Sequence, residues 1–125
     1  TTTVNVEIVF YELENGVEPV RVFLDSLDNK MSAKIIRNIK LLSELGPELR
    51  FPLSEHIEDG IFELRTQQGN DITRILYFFF IGKKTKKAIL TNGVIKKTNK
   101  LPQKAIDLAK KYKKDYESRC NNGQL

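Results

Sequence analysis

Cysteine and histidine are nearly missing from this 125-residue chain: each occurs once, as Cys120 and His56. One thiol cannot close an intramolecular disulfide, so the fold must rest on its apolar core, and a reducing compartment suits it. A lone histidine and a distant cysteine give no spaced set of zinc ligands and no Ser/His/Asp triad. There is no glycine-rich phosphate loop, and no paired carboxylates stand in a metal-binding pattern. No apolar run is long enough to span a bilayer, and the threonine-rich start lacks the apolar core of a signal peptide. A cytoplasmic protein without metal, cofactor or membrane contact is the expectation.

What is present fits one soluble domain over residues 1–125. Hydrophobic residues make up 40% of the chain and charged residues 30%, enough for a single real core and too apolar for a disordered segment. The net charge of +5 and pI near 9.3 favour an acidic or phosphate-rich partner without saying anything about fold.

The periodicities predict β-α-α-β-β-β-α, an α+β domain whose small, mainly antiparallel sheet is flanked by an N-terminal helical hairpin and a C-terminal helix. Val4, Val6, Ile8 and Phe10 share one face of a first strand. Pro19 suits a helix's first turn, and Val20, Phe23, Leu24 and Leu27 form its apolar stripe. Ser32 is the expected cap of a second helix, whose buried face is Ile35, Ile39 and Leu42, widened by Ile36 and Leu45. Gly46-Pro47 ends that helix. The exposed cations Lys34, Arg37 and Lys40 read as a solvated face.

Glu48 to Glu58 reads as an irregular polar loop. Ile61 to Thr66 then alternates, with Phe62 and Leu64 on one face and Glu63 and Arg65 on the other. Ile72 to Ile81 is apolar on both faces apart from Arg74 and Tyr77, which predicts a central strand covered on both sides. Gly82 to Lys87, with Lys83 and Lys84, is a basic hairpin turn leading into a strand over Ala88 to Ile95. Pro102 opens the last helix, with Leu101, Ala105, Leu108, Tyr112 and Tyr116 on one side and Lys104, Lys110, Lys111, Lys113 and Lys114 opposite.

Arg74 is the most informative single residue, because a charge in an apolar strand must be paired or face an opening. It either pairs with Glu63 on the neighbouring strand or projects into a cleft to grip phosphate bidentately. Arg65 can lie beside it if the two strands form a hairpin. The stretch Ile95-Lys96-Lys97-Thr98-Asn99-Lys100-Leu101-Pro102 then brings lysines from the next strand's end. These lysines are either ordinary surface charge or one edge of an anion site. RNA can be cleaved without metal by its own 2′-hydroxyl, provided the protein positions the strand, stabilises the phosphate and moves protons. Tyr77 can take part in such chemistry or sit in the core with its hydroxyl at the rim; His56 reads as a surface residue.

In this order the motifs resemble the RelE/HigB-like toxins of type II toxin–antitoxin systems, in particular the phage-derived HigB-like branch of the RelE/ParE superfamily. The likeness rests on Gly16-Val17-Glu18-Pro19-Val20 with Phe23-Leu24-Asp25-Ser26-Leu27, and on Asp59-Gly60-Ile61-Phe62-Glu63-Leu64-Arg65. It continues through Asp71-Ile72-Thr73-Arg74-Ile75-Leu76-Tyr77-Phe78 and Lys96-Lys97-Thr98-Asn99-Lys100-Leu101-Pro102. The resemblance implies a metal-independent endoribonuclease that cuts mRNA in the ribosomal A site and is neutralised by a cognate antitoxin, expected to be a helix-turn-helix protein. Operator DNA would be bound only by the toxin–antitoxin complex. By motif position Arg65, Arg74 and Lys97, with Tyr77, become catalytic candidates, and Lys96, Lys100, Lys83 and Lys84 RNA-binding ones. Where many relatives carry His-Gly-Phe, this chain has Asn92-Gly93-Val94, which removes a proton-transfer group. The competing readings are a ParE-type toxin that inhibits DNA gyrase and a catalytically silent antitoxin-binding relative. Lys97→Ala is expected to weaken RNA binding and to lower the slope of affinity against salt by about one phosphate contact; an unchanged slope would exclude direct contact.

Overall fold

The computed structural model describes residues 6–82, 86–96 and 101–123, with Lys96 described by its backbone alone. Strand β1 (Glu7–Phe10) leads through a turn into α1 (Pro19–Asp25) and α2 (Asn29–Leu45), which ends in a single 3-10 turn at Gly46–Glu48. Four strands follow, β2 (Ser54–Glu58), β3 (Ile61–Gln68), β4 (Asp71–Ile81) and β5 (Lys86–Lys96), and then α3 (Gln103–Asn121). The five strands form one sheet in the order β1-β5-β4-β3-β2. Every neighbouring pair is antiparallel except β1 with β5, which are parallel in the register Glu7 to Lys87 through Phe10 to Leu90.

This is the expected α+β arrangement, with one strand more. The segment read as a loop from Glu48 to Glu58 contains β2, an edge strand paired with β3. Its sequence, Ser-Glu-His-Ile-Glu, lacks apolar alternation because an edge strand needs only backbone partners and benefits from charge that discourages further pairing. Only Ser54 of this strand is buried.

The alternation of β4 sends Ile75 and Tyr77 to one face and Leu76 and Phe78 to the other, and all four are buried. Two clusters result. One joins Ile75 and Tyr77 to Val20, Leu24, Ile35, Ile39 and Leu42 from the helical hairpin. The other joins Leu76 and Phe78 to Ala105, Ala109 and Tyr116 of α3. Helix α3 is further tied to the end of β1: Tyr11 donates to Asp115 at 2.5 Å, Arg119 pairs with Asp115 at 2.8 Å, and Tyr11 stacks on Tyr112. Burial and the Asp115 carboxylate both push the Tyr11 hydroxyl well above its ordinary pKa.

Several helix details differ from expectation. Asp28, not Ser32, caps α2, its carboxylate accepting from the Met31 amide at 2.8 Å. Ser32 lies within the first turn and donates to the Leu24 carbonyl, joining the two helices. Ile36 and Leu45 are exposed, and the buried stripe is instead completed by Met31 and Asn38, whose side-chain amide donates to Thr66. In α3, Leu108 is exposed and Ile106 and Ala109 are buried. Lys110 and Lys113 are half-buried rather than fully solvated: Lys110 pairs with Glu58 and Asp59 at the β2–β3 turn, and Lys113 with Glu117.

One close approach fixes β5 against α1. A Cβ added at Gly93 would stand 2.3 Å from Phe23 Cδ2 and 2.6 Å from Cγ, so the aromatic ring occupies the space a side chain needs. Gly93→Ala should therefore lower stability by ~1–3 kcal/mol, as overpacking does. The same change made in a Phe23→Ala background should cost much less. Denaturant midpoints of the four proteins check this, and equal costs in both backgrounds would refute the contact.

Candidate nucleic-acid cleft

The alternation that buries Leu76 and Phe78 against α3 also places Glu63, Arg65 and Arg74 on that face. Arg65 and Arg74 are direct cross-strand partners in the β3–β4 ladder, and Glu63 is opposite Leu76, one step along the face. The first turn of α3 and its approach border a hollow on this face. The result is a cleft of about 510 Å³. Arg65, Arg74 and Glu63 line it from the sheet, Glu55 and His56 from β2, and Leu101, Gln103 and Ile106 from α3 and its approach.

Arg74 forms the expected pair with Glu63 and also lines the cleft. It is 3% exposed, its Nε stands 3.6 Å from Glu63 Oε2, and it lines the cleft. Glu63 is 5% exposed, so this ion pair is held out of bulk water, where each charge depends strongly on the other. Arg65 is half-buried and has more access to solvent; its amide donates to the Leu53 carbonyl at 2.7 Å, which anchors the approach to β2. The cleft thus offers one guanidinium already engaged by a carboxylate and a second, more accessible one beside it.

Tyr77 lies elsewhere. Its ring is on the opposite sheet face, buried in the cluster with the helical hairpin, and its hydroxyl shares a short hydrogen bond with Ser54. Burial pushes that hydroxyl up to about 12 from an ordinary value of 10. The structure therefore does not bring Tyr77 together with the arginines, and its geometry is that of a satisfied core tyrosine. Lys96 ends β5 opposite Ile72. Lys97, Lys100, Lys83 and Lys84 lie outside the described residues.

Asn92, at the position where the resemblance places histidine in many relatives, faces α3 and is buried. Its side-chain amide donates to the Ala105 carbonyl at 3.2 Å, and its Oδ1 lies 2.7 Å from Thr91 Oγ1. Thr91 is the extra residue where the β4–β5 register shifts, and its hydroxyl also reaches the Leu76 carbonyl. In this chain position 92 is a tie between sheet and helix.

Sequence reasoning missed Glu55, His56, Gln103 and Ile106 as cleft residues. The first two were hidden by the polar composition of β2. Gln103 and Ile106 were legible in principle, because Pro102 fixes where α3 starts and Ile106 falls one turn inside it. Among the described residues no group of three His, Cys, Asp or Glu side chains could hold a metal ion, and no helix is long and apolar enough to cross a membrane.

A family model described as phage-derived Gp49-like protein matches residues 22–114, which takes in α1 to β5 and most of α3. No curated protein sequence matches the chain.

Removing one member of the buried pair should be costly. Arg74→Ala leaves Glu63 without its guanidinium and should lower stability by ~3–5 kcal/mol, whereas Arg74→Met with Glu63→Leu removes both charges and should recover most of it. Urea denaturation tests this; a double variant no more stable than the single would mean that the two charges are not coupled.

Proposed function

We propose that this chain, which belongs to the phage-derived Gp49-like family, is the toxin of a toxin–antitoxin pair and acts as a metal-independent endoribonuclease on ribosome-bound mRNA. The observation that carries this reading is the direct opposition of Arg65 and Arg74 on adjacent strands at the floor of an open cleft. Two guanidiniums so placed match the demand of phosphodiester cleavage, which is stabilisation of charge building on the phosphate oxygens. Arg65 is the one with room to contact the phosphate and supplies the positive potential, whereas the charge of Arg74 is met by Glu63.

The start of α3 adds to the same potential. Its N-terminus opens at Pro102 beside the cleft residues Leu101 and Gln103, and the positive end of the helix dipole favours an anion there. In sequence, Lys96, Lys97 and Lys100 come just before this helix start.

Proton transfer requires groups other than Asn92, which is tied to Ala105, and Tyr77, which is on the other face. The cleft offers His56 and Glu55 for the task. His56 is exposed; its Nε2 accepts from the Gly60 amide at 3.3 Å, which leaves Nδ1 to carry the exchangeable proton. Attack by the 2′-hydroxyl on the neighbouring phosphate needs a base for that hydroxyl and an acid for the departing 5′-oxygen. A histidine and a carboxylate at one rim are suited to these two roles. A cognate antitoxin would hold the chain inactive, and the pair together would bind operator DNA.

In a translating bacterial extract the purified chain should cut a reporter mRNA at codon-spaced sites, read by primer extension. Arg65→Ala should slow cutting by ~10²–10³-fold, the scale for removing one transition-state donor. Intact mRNA alongside inhibited gyrase supercoiling would sink the nuclease reading in favour of a gyrase toxin. Intact mRNA with unaffected gyrase would point to a silent relative.

A further inference from the structure

Phe51, on the turn that leads into β2, is an exposed apolar side chain at 70% of its surface, and its neighbour Arg50 is exposed as well. A single exposed apolar residue needs no explanation by itself. This one has a setting. The turn that carries it is fixed by two backbone bonds, the amides of Leu53 and Ser54 both donating to the Arg50 carbonyl at 3.1 Å. The residue after the turn's end, Ser54, is held on Tyr77, and Leu53 accepts from the Arg65 amide, so the turn is braced by the same strand that presents the cleft arginine.

A second groove, about 400 Å³, runs below this turn and is lined by Arg50, Phe51 and Phe62 as well as by Glu55 and His56. Those last two residues also line the arginine cleft, so the two hollows meet at β2. The floor of the second groove is aromatic: the His56 ring meets Phe62 edge-on with centroids 5.0 Å apart, and Phe62 in turn stacks on Tyr77 at 5.5 Å. A surface that turns over the β2 edge, from the arginine cleft on the α3 face to the rings of Phe51, His56 and Phe62 on the hairpin face with Arg50 beside them, has the composition of a single-strand binding track, where phosphates meet cations and bases stack on π-faces.

The geometry points to Arg50 and Phe51 as a base-stacking subsite: a strand that crosses the β2 edge at Glu55 and His56 from the phosphate held at Arg65 would lay a base on Phe51, with the Arg50 guanidinium beside it. The occupant is a single-stranded RNA. An apolar peptide would match Phe51 alone, but not the arginines at either end of the track. This inference rests on the proposed RNA reading for its ligand class, yet it concerns binding and not cleavage.

The test uses the purified full chain and a short single-stranded RNA made uncleavable by 2′-O-methyl groups, with 2-aminopurine as the fluorescent base. Wild type should bind and quench the fluorophore as it stacks. Phe51→Leu should weaken binding by roughly 10-fold or more, the scale of one lost base–aromatic stack, and abolish the quench. Phe51→Tyr should restore both, and circular dichroism should show all three proteins equally folded. Equal affinity and quenching in Phe51→Leu would overturn the subsite while leaving the nuclease reading intact. So would an absence of binding by wild type that still cuts mRNA in the extract. Binding with a Phe51-dependent quench by a chain that cuts no mRNA would do the reverse. Should Phe51→Leu alter only the affinity for a co-expressed antitoxin, the exposed ring is a protein contact and the subsite is wrong.

Discussion

Strand β4 must be covered on both faces, and the rest of the molecule follows from that. Tyr77 and Ile75 on one side and Leu76 and Phe78 on the other would each lose about 1.5–3 kcal/mol of transfer free energy if left in water. The helical hairpin covers the first side and α3 the second. α3 cannot cover the whole of its face, because Pro102 sets where it begins. Arg74 falls near that helix start, buried beside the cleft. The candidate site therefore lies where β4 passes the head of α3, and the buried charge there is tolerable because Glu63 lies on the next strand.

The basic character of the chain is distributed unevenly by this arrangement. In α3, Lys110 spans Glu58 and Asp59, and attraction to those carboxylates raises its pKa above the ordinary lysine value. Lys113 pairs along its own helix with Glu117. Lys110 thereby docks the helix on the β2–β3 turn. The arginines of β3 and β4 face an opening instead. A net charge of +5 thus understates how differently individual cations are used.

What could be read from the sequence follows the strength of the local pattern. The two-sided apolar run of β4, the alternation of β3 and the proline at the head of each outer helix are rigid constraints, and the architecture they imply is the observed one. The opposition of Arg65 and Arg74 was legible because a short turn around Gly69 fixes the register of the hairpin. β2 was not, since an edge strand draws its stability from backbone hydrogen bonds that leave no mark on side-chain composition. The cap of α2 was misplaced because both Asp28 and Ser32 are good caps, and only packing on α1 decides between them. Tyr77 was ambiguous for a similar reason: the alternation placed it opposite Arg74, but its partner Ser54 lay in the segment with no readable pattern.

The parallel pairing of β1 with β5 has a consequence for how the protein comes into being. Among the described residues, Glu7 to Phe10 have as their only neighbouring strand residues Lys87 to Leu90, and Tyr11 is anchored to Asp115, 104 positions later. During synthesis the first strand emerges with nothing to bind, and closing so long a loop is an entropic cost met only at the end. The β2–β5 meander and the helical hairpin can assemble as they appear. Completion waits for α3, whose last turns clamp Tyr11 and seal the second face of the sheet. The cleft, bounded by the start of that same helix, thus forms late in this domain, and a nascent chain is without it until the start of α3 has been made.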